Sequence, residues 1–476
     1  MAHINFELKK QLITIKTKKM KNLKFKYVTA VLASLAFAET THAQTWDWAK
    51  SFGGKEVDYV SGITNDAAGN IYMVGNFKGT ASFGNKSLTS KGYYDIFLAK
   101  YNPEGQLIWI QQEGGSDLDE ANGIVLDKKG NIYITGYFTS EADFGGVKMK
   151  SSGDRDFFLA KFDNNGKINW IQASEGVNSE YGKALALDNN GDILVTGIFS
   201  KEVKFRTNTL KSKGNTDVFV ASYNADGALN WIKTLGGNGK DEATAITCDS
   251  KGNAIITGWF SGSAEFGEIN LISSGDDDIF IAKINPSGRV EWVDQAGGSE
   301  SVDRSYGVAA DSQNNYYITG SIKGEAKFND KIIKSVGTDD CFLAKYNDKG
   351  VLLWVKSSGG KGGEIGRAIA LDKSGNIYVC GDYNSTFAAN SNSSSYDDWD
   401  IFIIKYNDKG FALSANSAGG NGYDRPIAMS IDNNNNCYIT GVYERDCFFG
   451  KQEIISQGDS DIFVAKTKSF EPLRNN

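Results

Sequence analysis

Apolar residues along this chain come in runs of five to eight, separated by turns rich in glycine and asparagine, and nowhere at the 3.6-residue spacing of a helix. One stretch shows the pattern. Residues 121–127 (ANGIVLD) form a short apolar run that ends in the turn Asp127-Lys128-Lys129-Gly130-Asn131. Residues 132–138 (IYITGYF) are aromatic and β-branched, and a loop of about sixteen residues follows. Then come residues 156–162 (DFFLAKF), the turn from Asp163 to Gly166, and residues 168–173 (INWIQA). These runs predict four strands, named A to D in that order. The turns fit hairpin loops of three to five residues, with glycine supplying the positive φ after a type I turn. The unit is therefore expected to be a four-stranded antiparallel meander. Runs such as residues 278–283 (DIFIAK) are apolar at successive positions, which predicts strands covered on both faces.

The unit recurs. Gly75, Gly136, Gly197, Gly258, Gly320, Gly381 and Gly441 stand 61, 61, 61, 62, 61 and 60 residues apart, each in the sentence that reads Gly-Asn-Ile-Tyr-Ile-Thr-Gly at residues 130–136. A period this strict means one supersecondary unit repeated seven times. Strand D carries Trp48, Trp109, Trp170, Trp231, Trp292 and Trp354, with Ser414 in the remaining copy. A residue repeated in every unit serves the unit, so the tryptophans are read as wedges between blades. The first strand, residues 45–52, is of type D with no A to C before it, and the last, residues 461–466, is of type C with no D after it. Joining them closes a ring and hides both edges. The expected fold is all-β: a seven-bladed β-propeller of four-stranded antiparallel blades, the last closed by the N-terminal strand. The insert between B and C repeats as well, with Phe83, Phe144, Phe205, Phe266, Phe328 and Phe449 each eight residues after the glycine. It is read as a folded ornament.

These residues resemble the seven-bladed β-propeller repeat family of secreted bacterial proteins, whose pattern reads GIxxDxxGNIYxTGxF…DxFxAKYxxxG. The strand grammar is similar to that of NHL repeats. The resemblance spans nearly all of residues 44–467 and implies the fold and an extracytoplasmic setting. It implies little about chemistry, because propellers carry many functions.

The segment from Met20 reads as a secretory signal, with Lys21, Lys24 and Lys26 before an apolar stretch from Tyr27 to Ala38 and small residues up to Ala43. The expected domains are an extension and signal over 1–43 with a start at Met20, a propeller over 44–467 and a tail over 468–476. The apolar stretch is too short to span a bilayer. The product is expected to be secreted, at the cell surface or periplasmic. Without residues 1–43, 43 Lys and Arg face 56 Asp and Glu, a net charge of −13 that makes nucleic acid a poor partner. Both histidines, His3 and His42, lie in the removed segment, which excludes histidine triads and histidine metal sites. Cys248, Cys341, Cys380, Cys437 and Cys447 show no CxxC spacing and read as buried free thiols.

Three carboxylate rings recur. One, from Asp66 to Asp432, opens the A–B turn and is read as structural. A second, from Asp95 to Asp461, opens strand C and is read as tying down the insert. The third is Asp58, Asp119, Glu180, Asp241, Asp303, Glu364 and Asp424, in the D–A loop at the channel mouth. Two roles stay open for it: bonding backbone amides, or holding a hard cation such as Ca²⁺. No other metal or cofactor is expected. The positions beside this ring vary between units, and so do those after the repeat glycine. Tyr59, Tyr181, Trp259, Arg304 and Arg425 are the ligand-binding candidates, because aromatic and guanidinium groups gathered on one face suit a binding patch. The sixth insert, from Ser385 to Trp399, departs from the repeat and offers Tyr396 and Trp399 as contacts.

Two functional classes follow. The first is a secreted, non-enzymatic binding or scaffold propeller that presents a glycan or protein on D–A loops and B–C inserts. The second is an extracytoplasmic enzyme, a lyase, hydrolase or quinoprotein working through carboxylates and tyrosines. The strand-D Gly-x-x-x-Trp is similar to quinone-dependent dehydrogenase repeats. The lack of histidine, of a non-repeated acid pair and of a cofactor motif favours binding, and no catalytic residue is assigned.

Overall fold

The computed structural model describes residues 46–299, 302–385 and 398–467. The chain separates into two compact units, Met1–His42 and Ala43–Asn476, and every described residue belongs to the second. The expected signal segment with its Met20 start, Tyr396 and the tail 468–476 lie outside the described residues. All regular elements among the described residues are β-strands.

In the first unit the strands are A (Tyr59–Asn65), B (Ile71–Phe77), C (Asp95–Tyr101) and D (Leu107–Gly115). Strands B and C are buried at every position, as their unbroken apolar runs require. The A–B turn is tied by Asp66, whose Oδ1 accepts the amides of Ala68 at 3.0 Å and Asn70 at 2.9 Å. Gly69 holds the positive φ of that turn. The core lies between neighbouring sheets. Val74 and Leu98 of the first unit pack with Ile134 and Phe158 of the second, all fully buried.

The B–C insert is a hairpin of Thr80–Phe83 and Lys86–Thr89, anchored by buried Phe83 against Phe97 at 4.7 Å. Its first strand pairs with the end of strand D of the preceding unit, Gly53 opposite Ser82 and Gly54 opposite Ala81. A Cβ on Gly54 would run into the Thr80 carbonyl, which explains the repeated Gly-Gly.

The expectation of seven four-stranded blades is therefore corrected. The described strands form eight hydrogen-bonded sheets, five six-stranded, two four-stranded and one three-stranded. Six strands arise where an insert hairpin joins the sheet before it. The eighth sheet arises at Ser174-Glu175-Gly176, where other copies carry Gly-Gly. There the ladder breaks after Ala173, and Glu175–Gly176 pairs only with the next insert hairpin, Glu202–Phe205 and Asn208–Lys211.

The inner strands close a ring. Each strand A touches the next, and Arg425–Ile431 returns to Tyr59–Asn65. The strand Trp46–Gly54 pairs antiparallel with Asp461–Thr467. Five seams are locked by a strand-D tryptophan that donates to the C–D turn of the following unit. Trp109 reaches Asn164 O at 3.2 Å, Trp170 reaches Ala225 O at 3.1 Å and Trp231 reaches Pro286 O at 2.8 Å. Ser414 stands where the following unit has no C–D turn, since its C and D strands are Asp461–Thr467 and Trp46–Gly54. Trp46 fills that seam instead, donating to Ser417 O at 3.2 Å.

Candidate functional site: the rim of the D–A loops

The D–A loop of each unit lies against the end of the preceding insert. Single parallel bridges join Tyr94 to Leu118, Arg155 to Ser179 and Thr216 to Lys240. Loops and inserts thus share one face.

The third carboxylate ring sits just under this face, enclosed. Asp58, Asp119, Glu180, Asp241, Asp303, Glu364 and Asp424 are all fully buried. Asp58 Oδ2 accepts Gly54 N at 2.7 Å and Oδ1 accepts Lys78 N at 3.2 Å. Asp119 repeats this with Gly115 and Thr139, and Asp303 with Gly298 and Lys323. Each acid lies near the strand-C aspartate of the preceding unit: Asp461 for Asp58, Asp156 for Glu180, Asp400 for Asp424. Burial, reinforced by that second carboxylate, pushes Asp58, Asp119, Asp241 and Glu364 up to about 7 and Glu180 and Asp424 up to about 8. The strand-C aspartates also hold the inserts, as Asp156 does by accepting Ser152 N at 2.8 Å. Among the described residues, no group of three or more His, Cys, Asp or Glu side chains is placed to hold a metal ion.

The variable positions stand at the exposed end of the inner strands. The residue that follows the buried acid faces the residue after the repeat glycine, so Tyr59 lies opposite Asn76, Tyr181 opposite Ile198 and Arg304 opposite Ser321. One more variable position follows, because every strand A carries a β-bulge two residues on. The bulged residues include Lys183, Tyr306 and Arg367, which reach toward neighbouring units or their own strand B. Lys183 pairs with Glu242 at 2.9 Å, and Arg367 grips Asp382 through Nε at 2.5 Å and Nη2 at 3.1 Å.

These side chains make three clusters. Tyr181 meets Tyr137 edge to face at 4.9 Å, and Arg155 covers both rings and bonds the Tyr181 hydroxyl. Trp259 is held between Lys240 at 4.9 Å and Arg304 at 4.5 Å, with Arg304 Nε on Asp277 at 2.9 Å. Arg425 lies 4.7 Å over Tyr423 and 3.9 Å from Asp382, beside Arg367. Tyr59 stands apart with Tyr94, 5.7 Å away. Of the five candidates, Tyr59 is exposed, Tyr181, Arg304 and Arg425 are half-buried, and Trp259 is buried. Trp259 thus packs as well as presents. Sequence reasoning missed Arg155, Lys240, Tyr306 and Arg367. Two signals would have found most of them: variation at the bulge, and variation just before each strand-C aspartate, where Tyr94, Arg155, Thr216 and Asp277 stand.

All five cysteines are free, and four are buried. Burial pushes the Cys341 and Cys437 thiols up to about 12, so they act as small apolar side chains. No helix among the described residues is long and apolar enough to cross a membrane.

Residues 108–145 and 291–325 match the family model described as Beta-propeller repeat (SBBP), each match running from strand D of one unit through A and B of the next. With the closed ring of sheets, the match marks the chain as a β-propeller repeat protein. It is similar to the uncharacterized WD repeat-containing protein L264 of Acanthamoeba polyphaga mimivirus, 22% identical over 89% of this chain and 38% of the relative. It is also similar to the regulatory protein FlaEY of Caulobacter vibrioides, 24% identical over 51% of this chain and 27% of the relative. The chain thus spans well under half the length of either curated relative.

Proposed function

We propose that the protein is a non-enzymatic binding propeller, working outside the cytoplasm, that holds a protein partner on the face of its D–A loops and B–C inserts. One observation carries this reading. Tyr59, Tyr181, Trp259, Arg304 and Arg425 stand at the facing strand-A and strand-B positions of a single rim, where the residue varies from unit to unit. Aromatic and guanidinium groups are the side chains that dominate binding patches. The WD-repeat relative supports a scaffold role with a protein partner. The signal-like segment from Met20 supports export. The seven carboxylates of the D–A loop ring are fully buried.

The test is a pull-down with the purified protein, run beside a glycan array, followed by binding of the recovered ligand to a variant with Tyr59, Tyr181, Arg304 and Arg425 changed to Ala and the buried Trp259 kept. Loss of binding supports the face. Unchanged binding moves the site elsewhere, and a hit on the array alone replaces protein with glycan.

A further inference from the structure

Three arginines stand on successive inner strands, Arg304, Arg367 and Arg425, in a chain whose net charge is −7. We propose that Arg425, with Arg367 and Tyr306 beside it, is a receiving site for carboxylates, and that its occupant is an acidic peptide segment of the partner protein. This rests on the ligand face described above and supplies its chemistry.

The argument is a charge count around named groups. Arg304 is satisfied by Asp277, through Nε at 2.9 Å and Nη2 at 2.5 Å. Arg367 occupies both oxygens of buried Asp382. Arg425 donates Nη2 to the Tyr423 hydroxyl, a neutral partner, and has no carboxylate within hydrogen-bond reach of its Nε. Its Nε lies 3.9 Å from Asp382 Oδ2, beyond hydrogen-bond reach, and that buried nitrogen has no hydrogen-bond partner. Burial and the adjacent Arg367 both work against the Arg425 charge and lower its pKa. Two guanidinium groups therefore share one carboxylate, and the surplus cation is half-buried beside a like charge. A second carboxylate at the solvent-facing edge of the half-buried Arg425 guanidinium would offset the repulsion and accept N–H bonds from it.

The surroundings suit a chain carrying several acids. Arg367 lies 5.1 Å over Tyr306, Arg425 lies 4.7 Å over Tyr423, and Arg304 lies 4.5 Å over Trp259. Cations and aromatic planes alternate across three inner strands. Acidic residues outnumber basic ones in the rest of the chain, so this arc offers an anionic segment a local exception to the repulsion it would meet elsewhere.

The experiment measures binding of hexaglutamate peptide, and of oligogalacturonate of equal charge, to the purified protein by calorimetry. Hexaglutamate should bind, more weakly as salt rises, and Arg425→Gln should weaken it by about tenfold or more while Arg425→Lys retains part. The melting temperature of Arg425→Gln should not fall, since the variant relieves a like-charge contact. No hexaglutamate binding, equal binding by Arg425→Gln, or a fall in its melting temperature overturns the proposal. Tighter binding of oligogalacturonate overturns the peptide as occupant. Should the recovered partner be lost by Tyr59→Ala yet held by Arg425→Gln, this subsite fails while the ligand face stands. A partner indifferent to all these changes sinks the face itself.

Discussion

Phe52 lies opposite Ile462 in the antiparallel ladder that joins the first described strand to the last. Phe52 is buried, and its ring meets Tyr101 at 4.8 Å. The pairing covers the outer edge of Asp461–Thr467, which would otherwise present a row of free backbone groups. Deleting Trp46–Gly54 should give an open ring that aggregates on a sizing column, and Phe52→Ala should cost about 3–5 kcal/mol. A deletion variant that stays monomeric and melts normally would refute the closure.

The buried acid pairs set a pH dependence. Asp58 and Asp119 are pushed up to about 7 and Glu180 and Asp424 to about 8, against about 4 in the unfolded chain. The folded state therefore holds more protons than the unfolded state between these values. The stability from these groups is full below about pH 4 and is lost as pH rises to about 8. Asp348 works the other way in strong acid, since Lys251 and Lys283 hold its carboxyl far below the usual range. Melting temperature should fall from pH 5 to pH 9, and Glu180→Gln should flatten the curve and raise the value at pH 8. A profile that rises across this window would contradict the protonated pairs.

Calcium tests how the same carboxylates are neutralised. The backbone amides already occupy oxygens of Asp58, Asp119 and Asp303, and no described cluster offers three acidic ligands. A cation bound to the native state alone would raise the melting temperature by mass action. The expected shift at millimolar calcium, measured at pH 6, is less than about 1 °C, with no reversal by chelator. A clear rise that a chelator removes would assign the ring to a metal.

Much of the fold could be read from the sequence because its signals are local. Turn glycines, strand-C aspartates and the unbroken apolar runs of strand B each act within one unit. Sheet composition could not be read that way. Whether residues 80–83 join the sheet before them depends on Gly53 and Gly54 of the neighbouring unit, and at Ser174 the strand-D ladder breaks so that Glu175 and Gly176 pair with the next insert alone. The site was legible as positions and not as contacts. Tyr59, Arg304 and Arg425 stood out by varying, but the bulge that turns Arg367 onto Asp382 leaves no mark in a strand's hydrophobic pattern.

The last prediction separates presentation from packing on the ligand face. Tyr59, in strand A, is 41% exposed, and Trp259, after the repeat glycine in strand B, is 4% exposed. Trp259 is enclosed by Lys240 and Arg304, and removing its ring would leave a cavity and strip both cations of their aromatic partner. Trp259→Ala should therefore cost about 3–5 kcal/mol of stability, while Tyr59→Ala should stay within about 0.5 kcal/mol. Denaturant melts of the two variants measure this directly. In binding, Tyr59→Ala is the cleaner probe, because any loss of affinity arises from a fold left intact. A loss seen for Trp259→Ala alone would assign that tryptophan to the packing of the seam, and the ligand would then rest on the tyrosines and arginines around it.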